Sequence, residues 1–312
     1  MSTGPSRSDA GAREPAPAPP GSDVDLHDAA VVVDLFDQAA AALARHAGRR
    51  GSVIDLPARP AGGRLLMTGD LHDNGLNFQR ILRLAGLHER TDRYLILHEV
   101  IHGPGRINGR DLSVRTLARA AALITQYPGQ VLMLLANHDL AQLNGDGILK
   151  AGVSVVEAFD AGVDFLYDDR ADDVRDAMAR LIRAMPLAVR CPNGVMCCHS
   201  LPAPRKLERF DKTVLDRELT DDDRAGDGPA SLMVWGRNHT QKVADELGEA
   251  WGAKLFVMGH QPADYGYEVE GETMIVLASD HEHGVALPID LARATTRDEL
   301  VMEVLPLGAV LM

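Results

Sequence analysis

Short apolar runs, each the length of a buried strand and each followed by a helical or loop-like pattern, set the architecture of this chain. They fall at 64–68, 94–97, 131–135, 195–198, 254–258 and 274–278. Unbroken apolarity over so few residues marks strands covered on both faces. Between them, 77–85 (Ile81, Leu82, Leu84), 113–126 (Leu117, Ala121, Ile124) and 240–251 (Val243, Leu247, Trp251) carry apolar residues three or four apart, as a helix with one buried face does. Pro128-Gly129 stops the second of these. The alternation predicts a layered α/β fold, with central β-sheets flanked by helices.

In open α/β sheets ligands gather at the carboxyl ends of strands, where loops converge. Four of the runs end in residues suited to a metal: Gly69-Asp70-Leu71-His72, Ala136-Asn137-His138-Asp139, Cys197-Cys198-His199 and Gly259-His260-Gln261. Asp70 follows its run after one glycine and His72 lies two residues on, so an extended turn can aim both at one cation. Each motif alone has a plainer reading. Asn137 suits a helix cap as well as a metal, and a single His at a strand end is often a hydrogen-bonded structural residue. Four such motifs in order, each closing a strand, form one site. A fifth segment, His98-Glu99-Val100-Ile101-His102, brings a carboxylate to the end of the run at 94–97.

On these motifs the chain resembles the calcineurin-like metallophosphoesterases, most closely the serine/threonine phosphoprotein phosphatase branch, over roughly 64–290. Val195-Met196-Cys197-Cys198-His199-Ser200 and the stretch from Met258 through Gly259-His260-Gln261-Pro262 to Glu268 are similar to that branch beyond the ligands themselves. The resemblance implies a metal site at the strand C-terminal ends with two divalent ions, Asp70, His72 and Glu99 on the first and Glu99, Asn137, His199 and His260 on the second. It also implies a bridging hydroxide that attacks phosphorus in line, with His138 protonating the departing oxygen. The donor set suits Mn²⁺, Fe or Zn²⁺. The expected substrate is phosphorylated, either protein or small molecule.

The second motif departs from the family. Where those enzymes show G-D-x-x-D-R-G, this chain has His98-Glu99-Val100-Ile101-His102-Gly103. Glu99 keeps the carboxylate on a longer arm. His102 stands where an Asp orients the acid His, so it either binds metal or alters activity. Gly103 removes an arginine contact to phosphate, and Arg237, in Trp235-Gly236-Arg237-Asn238-His239, offers a replacement guanidinium. His281 and His283, after the last run, are candidates for an added ligand. Two rival readings follow: a metal- or phospho-ligand-binding homologue with weakened turnover, and a zinc peptidase through H-E-x-x-H, which requires that motif inside a helix. Gly103-Pro104-Gly105 would end any helix immediately after His102.

The N-terminal 1–21, rich in Pro and Ala, is expected to be a disordered tail. Residues 22–50 are expected to hold a helix, patterned from Val24 to about His46, and 51–312 the phosphoesterase-type domain, with insertions at about 141–188 and 202–232 over the strand ends. A net charge of −13 argues against nucleic acid and anionic membrane as partners. No window reaches the ~18 apolar residues of a membrane span. The three cysteines, Cys191, Cys197 and Cys198, form no zinc-type spacing and read as buried apolar residues in a reducing, cytoplasmic setting.

Overall fold

The computed structural model describes residues 24–58, 62–150 and 152–312, so the expected tail at 1–21 lies outside the described residues. Two sheets carry the fold. One orders its strands Leu305–Pro306, Val285–Asp290, Arg64–Asp70, Arg93–His98 and Val131–Leu134, the last three parallel. The other runs Arg49–Arg50, Val53–Asp55, Ala188–Arg190, Val195–Cys198, Leu255–Met258, Met274–Leu277 and Tyr267–Glu270. Its central Val195–Cys198, Leu255–Met258 and Met274–Leu277 are again parallel. Each apolar run anticipated from sequence lies in one of these parallel triplets, buried in a single hydrophobic core.

The sheets join where the Arg64–Asp70 strand ends. Asp70 pairs in parallel with Ala278 across the gap, Ser279 N–H donates to the Asp70 carbonyl at 3.0 Å, and Gly69 N–H donates to Ser279 Oγ at 2.9 Å. The carboxyl ends of both triplets therefore meet, with Asp70 and His98 of one beside His199 of the other.

Helices cover the outside. Ala29–Ala44 buries Val32, Phe36, Ala39 and Leu43 on one face and packs against Ala171–Ala184 and Val114–Gln126. Asp28 starts it by accepting the Ala30 N–H at 2.8 Å, filling one of the orphan donors of a helix start. The 141–188 stretch forms the helices Val155–Tyr167 and Ala171–Ala184. The second of these packs against the N-terminal helix. The 202–232 stretch is built of short turns, one of which packs beside the strand Val53–Asp55 through Ser52 Oγ donating to the Val214 carbonyl at 2.7 Å.

Candidate metal centre

The loops that leave the strands Arg64–Asp70 and Arg93–His98 are zipped together by backbone hydrogen bonds. The N–H groups of Leu71 and His72 both donate to the Glu99 carbonyl, at 3.1 and 2.8 Å, and that of Asp73 donates to the Val100 carbonyl at 3.0 Å. His72, Asp73, Glu99, His102 and His260 all take left-handed backbone angles, with φ of 43°, 59°, 49°, 61° and 69°. Non-glycine residues adopt these only at a cost, and such strain collects at functional sites. Here it turns the side chains of His72, Glu99 and His260 inward.

The centre of the cluster is His199 Nε2. It lies 2.8 Å from Asn137 Oδ1, 3.0 Å from Glu99 Oε2 and 3.2 Å from His260 Nδ1. Donor atoms that share one ion at ~2.0–2.2 Å sit about 3 Å apart, so this spacing fits a cation in their midst. On the other arm of Glu99, Oε1 lies 3.1 Å from His72 Nε2 and 3.5 Å from His138 Nε2. Three sets bring one donor atom each within 4.8 Å of one another: Glu99, His199 and His260; His72, Glu99 and His138; and Asp70, His98 and His199. Glu99 belongs to two of them, and its Oε2 is buried with no hydrogen-bond donor aligned on it. Asp70 sits with His98 and His199, its carboxylate accepting the His260 N–H at 2.9 and 3.0 Å.

Ring wiring agrees with a ligand role for His72. Its Nδ1 faces the Ile101 carbonyl at 3.0 Å, and a carbonyl only accepts, so Nδ1 carries a proton and Nε2, 3.1 Å from Glu99 Oε1, is the nitrogen that a cation would take. A carbonyl or carboxylate on the far nitrogen is the usual support of a metal-bound imidazole.

Buried negative charge shapes the site's electrostatics. Burial, then the neighbouring Glu99, pushes Asp70 up to about 6 and Asp139 up to about 7. For Glu99 burial acts upward too, but His199, His138 and His72 together hold it well below the usual carboxylate range. Burial opposes charge on His199, yet Glu99 and Asp70 raise it. Burial, then His199, brings His260 down to about 2. Carboxylates this buried and this near one another are the environment that a divalent cation relieves.

Of the residues singled out in the sequence, His102 meets His138 instead of the carboxylate cluster, Nδ1 to Nδ1 at 2.8 Å. Arg237 is exposed on the loop after Trp235, and its charge reaches His260. That loop is fastened next to two site residues: Ser200 Oγ donates to the Gly236 carbonyl at 2.7 Å, and Asn238 N–H donates to Gln261 Oε1 at 3.0 Å. A Cβ at Gly236 would fall 1.7 Å from the Leu201 carbonyl oxygen, so only glycine fits there. His281 bonds the Ala263 carbonyl and His283 is exposed against Tyr265, and neither joins a metal-competent set among the described residues. A hydrogen bond with Cys191 and then burial raise the Cys197 thiol, and burial raises that of Cys198, removing thiolate character.

The peptidase expectation is overturned. His98 ends a strand and 99–102 is loop, so His98 and His102 do not share a helix face, and Glu99 points toward Asn137 and His199. The sequence reading assigned no role to His98 or to Gln142. Gln142 is four residues beyond His138 on the helix Asn137–Asn144, a spacing that by itself puts them on one face.

A family model described as calcineurin-like phosphoesterase matches residues 63–264. No curated protein sequence matches the chain. Among solved structures, a protein serine/threonine phosphatase from Saccharomyces cerevisiae with similarity to human phosphatase PP5 superposes with a TM-score of 0.62 at 13% identity, over 90% of this chain and 93% of that one. A cold-active protein-tyrosine phosphatase of a psychrophile Shewanella sp. superposes with a TM-score of 0.53 at 13% identity, over 78% of this chain and 79% of that one. At such identity these two show a shared fold.

Proposed function

The chain belongs to the calcineurin-like phosphoesterase family and is a phosphoester hydrolase; from that premise we propose that its reaction centre is a pair of divalent ions held around Glu99. Asp70, His72 and Glu99 would hold the first, and Glu99, Asn137, His199 and His260 the second. The observation that carries the reading is Glu99 itself, fully inside the site and shared by two donor sets on its two oxygens. Bound ions would supply an acidified water as nucleophile and neutralise phosphate charge. The mixed carboxylate, imidazole and amide donors favour Mn²⁺, Fe or Zn²⁺.

Around that centre the chain's own residues have separate tasks. His138 Nε2 faces the Glu99 side of the cluster and donates a proton to the leaving oxygen. Arg237 offers planar donors to phosphate oxygens in the place of the arginine replaced by Gly103. The Trp235 ring stands nearly perpendicular to that of His260, with centroids 6.4 Å apart. The substrate is a phosphorylated protein or small molecule. No helix among the described residues is long and apolar enough to cross a membrane, and three free buried cysteines suit a reducing cytoplasm.

The test pairs metal analysis of the purified protein with hydrolysis of p-nitrophenyl phosphate in added Mn²⁺. About two equivalents of bound metal and turnover, both lost in Asp70→Asn, are expected. Metal bound without turnover by the wild type would make the chain a binding homologue, and a folded protein without metal would reject the centre.

A further inference from the structure

The insertion helix Val155–Tyr167 reaches the reaction centre through a chain of side chains. Gln142 Nε2 donates to Asp160 Oδ1 at 2.8 Å. A carboxylate only accepts, so the amide is fixed with Nε2 toward Asp160 and Oε1 toward His102 Nε2, 2.9 Å away. Arg175 holds Asp160 in turn, donating to its backbone carbonyl at 3.2 Å with Nε 3.5 Å from Oδ1. The Phe159 ring stands edge-on to His102, with centroids 5.5 Å apart, and both are buried.

An amide oxygen facing His102 Nε2 requires a proton on that nitrogen. The other nitrogen, Nδ1, then presents a lone pair to His138 Nδ1 at 2.8 Å. We infer that Asp160 and Gln142 lock His102 as its neutral Nε2–H form, so that His102 accepts the Nδ1–H of His138 and aims His138 Nε2 at the leaving group. His102, Gln142 and Asp160 are thus positioning residues, and a neutral imidazole does what a carboxylate does at this place in the phosphatases the chain resembles. It adds no negative charge beside Glu99 and Asp139. In the step itself the P–O bond breaks, its electron pair stays on the departing oxygen, and that oxygen takes the His138 Nε2 proton. The Nδ1–H remains shared with His102.

The inference rests on the proposed phosphatase reading for its kinetics but not for its proton positions. In the ¹⁵N-histidine-labelled full chain, His102, assigned by its loss in His102→Asn, should show a pyridine-type Nδ1 and a pyrrole-type Nε2. The reverse pattern would overturn the inference whether or not the protein turns over. In the metal-loaded enzyme, Gln142→Leu should lower kcat on an alkyl phosphate, which needs its leaving group protonated, roughly 10–100-fold more than on p-nitrophenyl phosphate, with KM changed less than about twofold. Equal loss on both substrates would mean that Gln142 is merely structural. Absence of turnover in the wild type would count against the phosphatase reading, and the nitrogen spectra would still decide the His102 form.

Discussion

His98 and His199 face each other Nδ1 to Nδ1 at 3.2 Å, both fully buried in the floor of the site. The Thr68 carbonyl lies 2.6 Å from His98 Nε2, so that nitrogen is protonated and His98 Nδ1 accepts from His199 Nδ1–H. A bound ion would then take the lone pair of His199 Nε2, on the side where Asn137, Glu99 and His260 converge. His98→Ala removes the acceptor and leaves every proposed ligand in the chain. Metal affinity should fall roughly 10–100-fold, read by competition with a chromogenic chelator, while circular dichroism stays that of the wild type. Unchanged affinity would show that His199 needs no such support.

His138 is the imidazole placed to give a proton without holding metal in the proposed centre. His138→Ala should lower kcat on an unactivated phosphoester by roughly 10²–10⁴ and leave the metal content of the purified protein intact. Loss of metal in step with activity would make His138 a ligand.

Arg237 should act in binding more than in proton transfer, since it stands at the rim near His260. Arg237→Ala is expected to raise KM and the inhibition constant for inorganic phosphate by roughly 10–100-fold, as one charge-assisted contact of ~1.5–3 kcal/mol is lost. Arg237→Lys should recover only part, because a point charge cannot reproduce the planar fork. Normal phosphate inhibition in Arg237→Ala would leave Arg237 as an ordinary surface residue.

The parallel strands and the strand-end positions of Asp70, His72, Asn137, His199 and His260 were legible because buried parallel strands read as unbroken apolar runs, and their ends are marked by the first polar residues. Strands without that signature were not. Val285–Asp290 contains Pro288 and lies beside the edge strand of its sheet, and Tyr267–Glu270 is half-exposed and polar in alternate places. His98 eluded the reading because its facing depends on a register shift between Met67 and Asp70 against its neighbouring strand, which no local pattern encodes. The same holds for Asp160, which meets Gln142 only once the insertion helix has packed.

Gly259 separates Asp70 from the His260 loop so closely that a Cβ there would fall 2.3 Å from Asp70 Oδ1 and 2.6 Å from His98 Cε1. The side chains can swing aside, so the fold should survive Gly259→Ala, but Asp70 then leaves the place where the His260 N–H holds it. Metal content should drop sharply in Gly259→Ala and not in Gly105→Ala, whose Cβ would meet nothing within 4 Å. Equal metal content in the two variants would show that Asp70 is not needed in its observed position.

Asp111 offers a pH test remote from the proposed ligands. Its side chain accepts the Ser113 N–H at 2.8 Å, and Ser113 Oγ in turn accepts the N–H of His102 at 3.0 Å. Burial pushes Asp111 up to about 6, although Ser113 favours the ionised form. With the folded value above the unfolded one of ~3.9, the folded state binds the proton more readily. The contribution is therefore complete below about 4 and is lost as pH rises through 6. Asn keeps the acceptor oxygen and cannot ionise. The urea-unfolding free energy of Asp111→Asn relative to wild type should thus shift in favour of Asn between pH 4 and pH 7.5, by at most about 3 kcal/mol. A difference that stays flat across that range, or slopes the other way, would mean that Asp111 is not held protonated by its burial.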